Sequence, residues 1–296
     1  MTPRELRPTG IVYLEQVTRL LQDARLAEAY GGVWEAADLQ WWWRVDQYDE
    51  PEGQAIWVDD DGPMVAAVFT RWKGWIGCDL LGTEASVAAH SELLWDHIDD
   101  RFMDRPVSML IRDDDPTRIA AAERAGFVRG DDEFATGWMD AGDRPARPTL
   151  PNGVRIRRYE GGPHPMVARN GEMVAERLAE TSLYRPDLDL AVWDGDSVIG
   201  YALFWADPVT GVGLLEPMRI EDSHQGRGLS KALIAEGLDR LAAAGCTRLK
   251  VTFETSNQAA ARLYLGAGFR PRSVGRSWHR AASVGRREER RQPVVR

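Results

Sequence analysis

The feature that most constrains this chain is that it repeats itself. RAGFVRG at 124–130 echoes GAGFRPR at 266–272, so that Gly126 and Gly268 lie 142 residues apart. At that offset the apolar run PVSMLI (106–111) falls on RLKVTF (248–253). PTRIAAAERAGF (116–127) likewise falls on QAAARLYLGAGF (258–269), giving a strand and then a short helix in each copy. One duplicated unit explains all three alignments. Between the copies, DAGDRPARPTLPNG (140–153) carries Pro145, Pro148 and Pro151 with two glycines, which interrupts helix and strand patterns and reads as a linker. The 296 residues leave room for two domains of roughly 100 to 200 residues each. The expected division is 1–145, 146–283 and a basic tail at 284–296, which is arginine-rich and without apolar periodicity.

Each half reads as mixed α/β. MVAAVFTRW (64–72) and SVIGYALFW (197–205) are β-rich runs entered through the turn clusters DDDG (59–62) and DGD (194–196). From Leu229 to Ala244, Ile234, Leu238 and Leu241 fall on one helical face, with Gly245 placed as a C-cap.

Composition removes several classes of function. A net charge of −9 disfavours a phosphate-backbone footprint, so nucleic acid is not the expected partner. No window approaches the roughly 18 to 20 apolar residues of a membrane span, and Met1–Gly10 lacks the core of a secretory signal. A cytoplasmic protein is expected. Cys78 and Cys246 are isolated, the five histidines show no ligand spacing, and neither GxSxG nor HExxH occurs, which disfavours a disulfide framework, a metal site and a serine hydrolase. Three neighbouring tryptophans, Trp41, Trp42 and Trp43, point in different directions on a helix. Packing between the halves is favoured over a ring that receives a cationic acceptor.

Chemistry concentrates in GLLEPMRIEDSHQGRGLSKALI (213–234), an apolar strand, a polar turn, a glycine loop and then a helix. Gly226 and Gly228 remove Cβ atoms where backbone must approach a ligand, and the first amides of the helix are free to hold a pyrophosphate. Neither GxxxxGK[ST] nor GxGxxG is present.

Gln225-Gly226-Arg227-Gly228-Leu229-Ser230 resembles the Q/R-x-x-G-x-G/A loop of the GNAT superfamily of acyl-CoA-dependent N-acyltransferases, with Ser230 in place of the last small residue. Asn257, Ala260, Tyr264, Gly268 and Phe269 resemble its N-x-x-A-x-x-x-Y-x-x-x-G-F segment. The resemblance implies two tandem GNAT-like domains with acetyl-CoA as donor. The strand Leu214–Ile220 would splay from its neighbour, and the backbone of Met218, Arg219 and Ile220 would pair with the pantetheine arm. Gln225 to Lys231 would hold the pyrophosphate, with Asn257 either a ligand contact or a helix cap.

Tyr264 is then the expected acid at the CoA sulfur. Glu216 is the candidate base, on the reading that it shares strand parity with Met218 and Ile220. His224 belongs near CoA phosphates or solvent. Ala122 and Asp115 stand where Tyr264 and Asn257 stand in the second copy, and no glycine pair follows GCDLLG (77–82). The first half is therefore expected to be degenerate, keeping the fold without a CoA site. The expected activity is acetyl transfer to a primary amine of a small molecule, with the acceptor and the oligomeric state left open. The alternatives are a mycothiol-synthase-like activity, since that enzyme is also a tandem GNAT of similar length, and a non-catalytic acyl-CoA sensor.

Overall fold

The computed structural model describes residues 3–45, 54–72, 75–160 and 164–282, so the expected basic tail lies outside the described residues. The first copy runs β1 (Arg4–Leu6), α1 (Gly10–Ala27), α2 (Ala36–Trp42), β2 (Ala55–Val58), β3 (Pro63–Trp72), β4 (Trp75–Leu81), α3 (Glu84–Ala89), α4 (Ser91–Phe102), β5 (Val107–Arg112), α5 (Pro116–Arg124) and β6 (Val128–Asp140). The second runs β7 (Val154–Arg158), α6 (Val167–Asn170), α7 (Val174–Ala179), β8 (Asp189–Asp194), β9 (Ser197–Ala206), β10 (Val212–Ile220), α8 (Leu229–Ala243), β11 (Arg248–Glu254), α9 (Gln258–Ala267) and β12 (Arg270–Arg280). Among the described residues no helix is long and apolar enough to cross a membrane.

The repeat holds at the level of hydrogen bonds. Asp115 begins α5 by accepting from Arg118 N at 2.9 Å, and Asn257 begins α9 by accepting from Ala260 N at 3.1 Å. Each side chain satisfies a donor that the helix cannot. Both helices end on a glycine at positive φ, +82° for Gly126 and +109° for Gly268, where a side chain would be strained. The next residue, Phe127 or Phe269, donates its N–H back into the helix and buries its ring.

The twelve strands of the described residues form one sheet in the order β1-β2-β3-β4-β5-β12-β6-β11-β10-β9-β8-β7. The final strand of each copy has crossed to the other: β12 pairs antiparallel with β5 from Gly275↔Arg112 to Arg280↔Val107, and β6 with β11 from Asp140↔Arg248 to Phe134↔Glu254. At the centre β6 and β12 pair with each other, Ala135 opposite Val274.

Helices cover both faces. On one, α1 and α2 meet α6 and α7 over a core shared by the copies, in which Leu14, Leu39 and Trp41 contact the same cluster as Val174, Leu178 and Trp205. On the other face, α3, α4 and α5 cover a core of the first copy, and α8 and α9 one of the second. Trp41 and Trp43 are buried, and Trp42 lies edge-on to Trp34 at 4.7 Å. Trp43 donates to Glu180 at 3.0 Å beneath the Arg177 guanidinium, so the tryptophan run packs between the halves. Helix α8 seats closely because Gly237 faces the Phe204 ring, where an added Cβ would lie 1.9 Å from a ring carbon. Gly245, at φ +93°, follows its end.

Two parallel strand pairs open in this sheet. Among the described residues β4 and β5 pair at Ile76↔Val107 and Gly77↔Ser108, and β10 and β11 pair from Val212↔Arg248 to Leu214↔Lys250. Past those points the backbones diverge, once in each copy.

Candidate active site

Strand β10 loses β11 after Leu214 but keeps β9 as far as Ile220↔Gly200, so the backbone from Glu216 to Ile220 borders a gap on one side only. The ladder shifts register between Leu215 and Met218, a bulge beside the cis peptide Glu216-Pro217. That shift corrects the parity expected from the sequence. Leu215 and Ile220 belong to the core under α8, and Met218 packs against it, whereas Leu214 belongs to the shared core on the opposite face. The Glu216 side chain also turns to that opposite face, toward Asp38 of α2, because one extra residue inverts the alternation.

The loop after β10 is held open. Gln225 Nε2 donates to Ile220 O at 3.2 Å and to Asp222 Oδ1 at 3.1 Å, tying the loop to the strand end. Gly226 and Gly228 both sit at φ +77°, and no atom lies within 4 Å of where a Cβ would project from either. Gly228 is the N-cap of α8 and brings no side chain over the amides of Leu229, Ser230 and Lys231. A helix start with positive electrostatic potential, free amides and open space is a fitting anion cradle. Arg227 reaches Asp194 at 3.2 Å, Arg219 reaches Asp222 at 3.1 Å, and Lys231 is exposed. Leu229 is buried in the core, so only its backbone is available to the loop. His224 bonds Ser223 at 2.9 Å. The Oδ1 of Asn257 is engaged in capping α9, the second of its two expected roles.

Tyr264 sits half-buried on α9 against Phe253 and Phe269, with ring centroids 5.5 and 6.3 Å away. Burial, and then the nearby Glu216 charge, push its phenol up to about 12, so it holds its proton at neutral pH. Burial also lifts Glu216 well above the usual carboxylate range. The Asp38 charge and a hydrogen bond between the two carboxyls add to the rise, against the lowering effect of Arg44 and Lys250.

Behind this pair lies a buried ionic cluster that joins the copies. Lys250, from β11, donates to Val33 O and to Glu35 Oε1, the latter at 2.8 Å. Arg25 of α1 meets the same carboxylate at 2.5 and 3.0 Å. Burial raises the Glu35 carboxyl, but Lys250 and Arg25 outweigh it and hold it below its ordinary range. Sequence reasoning missed Glu35 and Asp38. One signal was available: a lysine inside the apolar strand RLKVTF must find a carboxylate if it is buried.

The first copy offers a partial counterpart. Aligning the two splays by their ladders sets Asp79 where Glu216 stands, since each lies two residues beyond Gly77 or Leu214. Asp79 is buried, accepts from Trp34 Nε1 at 2.7 Å, and is pushed up to about 6, mainly by burial. It lines a cavity with Arg25, Glu28, Arg112 and Arg118. Strand β4 leads into α3 through Gly82 and the Thr83 cap, with no glycine pair, and the position of Tyr264 is held by Ala122.

Comparison with known proteins adds a family. Residues 156–269 match the Acetyltransferase (GNAT) family. A mycothiol acetyltransferase of Geodermatophilus obscurus is 27% identical, over 93% of this chain and 96% of its own length. One from Clavibacter michiganensis subsp. michiganensis is 26% identical, over 79% and 81%. Among solved structures, a tandem GNAT protein of the clavulanic acid biosynthesis pathway superposes with a TM-score of 0.62 at 13% identity, covering 95% of this chain and 99% of that one. A GCN5-related N-acetyltransferase from Sphaerobacter thermophilus gives 0.58 at 17%, covering 94% and 95%. These structures share the fold across both copies.

Proposed function

We propose that this protein, whose residues 156–269 are an acetyltransferase domain of the GNAT family, moves acetyl from acetyl-CoA to a primary amine of a small molecule by direct attack. The observation that carries this reading is the convergence, at one strand splay, of an open glycine loop, a carboxyl of raised proton affinity and a proton-bearing phenol. The free edge of β10 at Met218, Arg219 and Ile220 suits the pantetheine arm, which would lie along it like an added strand. The Gln225–Lys231 loop suits the pyrophosphate. A reaction that draws on acetyl-CoA suits the cytoplasm.

An amine with a pKa of about 10 arrives as an ammonium ion and must lose a proton before it attacks. Ionised Glu216, its proton affinity raised by burial and by Asp38, draws that proton. Nitrogen then bonds to the thioester carbon, with β10 backbone as donor to the oxyanion, the adduct nitrogen releases its second proton to solvent, and the C–S bond breaks to leave the neutral amide. Tyr264 gives its proton to the departing sulfur and regains one from solvent. The raised affinity for protons suits both steps, since one group must take a proton from an amine and the other must still carry one at neutral pH.

A second reading is favoured by the length over which the Geodermatophilus relative aligns: the acceptor is the cysteinyl amine of the mycothiol precursor, a pseudodisaccharide. The test is titration calorimetry with acetyl-CoA on the intact chain, followed by CoA release against a panel of primary amines that includes this precursor. One site per chain and turnover with one amine are expected. Tyr264→Phe should lower turnover ten-fold or more with acetyl-CoA affinity nearly unchanged, and equal rates would remove the acid role. Binding without turnover on any amine would favour a non-catalytic acyl-CoA sensor.

A further inference from the structure

Glu216 does not face the splay alone. The carboxyl opposite it, Asp38, comes from α2 of the first copy and is 4% exposed. Its Oδ2 accepts the Glu35 N–H at 2.6 Å, and Glu35 is itself pinned by Arg25 and Lys250. Asp38 is thereby fixed at the start of its helix while bonding to Glu216. On the other side, Trp205 Nε1 donates to the Glu216 carbonyl at 2.8 Å and fixes the strand where the base is carried. Two carboxyls can be hydrogen-bonded to each other only if one holds a proton, so the pair shares a proton between the two copies.

We propose that Asp38 is a positioning residue for acetyl transfer: it holds the Glu216 proton in place and tunes Glu216 as the base, so that the copy without a glycine loop adjusts the chemistry of the copy that has one. This inference rests on the reading of Glu216 as the base. The charged groups around the pair are Arg44, just after α2, Lys250 on β11, Glu35 at the N-cap of α2, with Arg25 on α1 behind it, Asp79 on β4, and Tyr264 on α9. Arg44 and Lys250 favour ionised Glu216, and Asp38 opposes them. The two carboxyls titrate as a coupled unit.

The test is a pH titration of the full chain by NMR, with carboxyl carbons of Asp and Glu labelled and no ligand present. Asn at position 38 keeps an oxygen for the Glu35 N–H, so Asp38→Asn removes the charge and spares the cap. Its expected effect is a fall in the Glu216 midpoint of one pH unit or more, a ten-fold or greater loss of proton affinity. The bond from Glu216 lowers the Asp38 carboxyl, so Glu216→Leu, which removes that donor and keeps the site buried, should raise the Asp38 midpoint, and this variant decides the matter if Asp38→Asn does not fold. A Glu216 midpoint unmoved in folded Asp38→Asn overturns the proposal, as does an Asp38 midpoint that is unmoved or lower in Glu216→Leu. In kinetics with the amine found by the panel, the acid limb of kcat/KM should shift to lower pH in Asp38→Asn. A slower enzyme with its limb in place would leave Asp38 a structural role only. If the limb persists in Glu216→Gln, the base assignment itself fails. A limb lost in Glu216→Gln but unmoved in Asp38→Asn sinks this inference alone.

Discussion

The two splays begin from the same backbone and end with different chemistry. Each opens between two parallel strands, and each carries a carboxyl two residues past the last pairing, Asp79 in the first copy and Glu216 in the second. The second adds Gly226 and Gly228 before its helix, and Tyr264 where the first has Ala122. A splay is thus a property of the fold, while the glycine loop and the phenol are local additions to it. The first copy nevertheless reaches the second opening. Its Asp38 lies within electrostatic reach of Asp79 on one side and bonds Glu216 on the other, so one helix serves both openings.

The contrast is broken most sharply at the glycine loop. Gly228→Glu puts a charged side chain at a position of φ +77° in front of the helix amides, and acetyl-CoA affinity should fall at least a hundred-fold. Calorimetry checks both the affinity and the count of sites. Two sites in the unaltered chain, one surviving the substitution, would show that the first splay binds as well. The join between the copies comes next. Glu35→Ala leaves Arg25 and Lys250 buried without their shared carboxylate, and removing one partner of such a cluster costs about 3–5 kcal/mol. Denaturant unfolding should report it, and a loss below about 1 kcal/mol would mean that water reaches the cluster.

Asp79 supplies a smaller effect with a definite sign. Its folded pKa, about 6, lies above the usual carboxylate value, so the native state holds the extra proton between roughly pH 4 and 6. Its contribution to stability is full below that window and falls as pH rises through it. Asp79→Asn keeps the acceptor for Trp34 Nε1 and should abolish that fall, raising stability at pH 7–8 by about 1–3 kcal/mol. Thermal unfolding across pH tests it, and parallel pH profiles for the two proteins would remove the assignment. Smallest are the paired caps. Asp115→Ala and Asn257→Ala should each cost about 1 kcal/mol. A much larger loss of acetyl-CoA affinity for Asn257→Ala alone would mean that Asn257 also meets the donor.

Much of this was legible because it is local. The 142-residue offset matched β5 with β11 and α5 with α9, down to their caps and terminal glycines. The helix after the glycine loop runs Leu229–Ala243 where Leu229 to Ala244 was expected. What escaped depends on partners far along the chain. Periodicity shows that β6 and β12 are equivalent but not that each pairs beside the other copy's strand. Glu35 and Asp38 read as ordinary residues at a helix start, which they also are, since they form a capping box. Glu216 was placed on the wrong face because alternation assumes an unbroken ladder, and a single bulge defeats it.

The crossed strands also impose a schedule on the ribosome. Strand β5 ends at Arg112, but the partner that separates it from β6 is β12, whose last residue is Arg280. At about 5–20 residues per second, the first copy must wait roughly 10 to 30 s with its sheet unfinished. Neither copy matures first, and a truncated transcript leaves both incomplete. A copy tied in this way cannot be shed by the gene without dismantling the other.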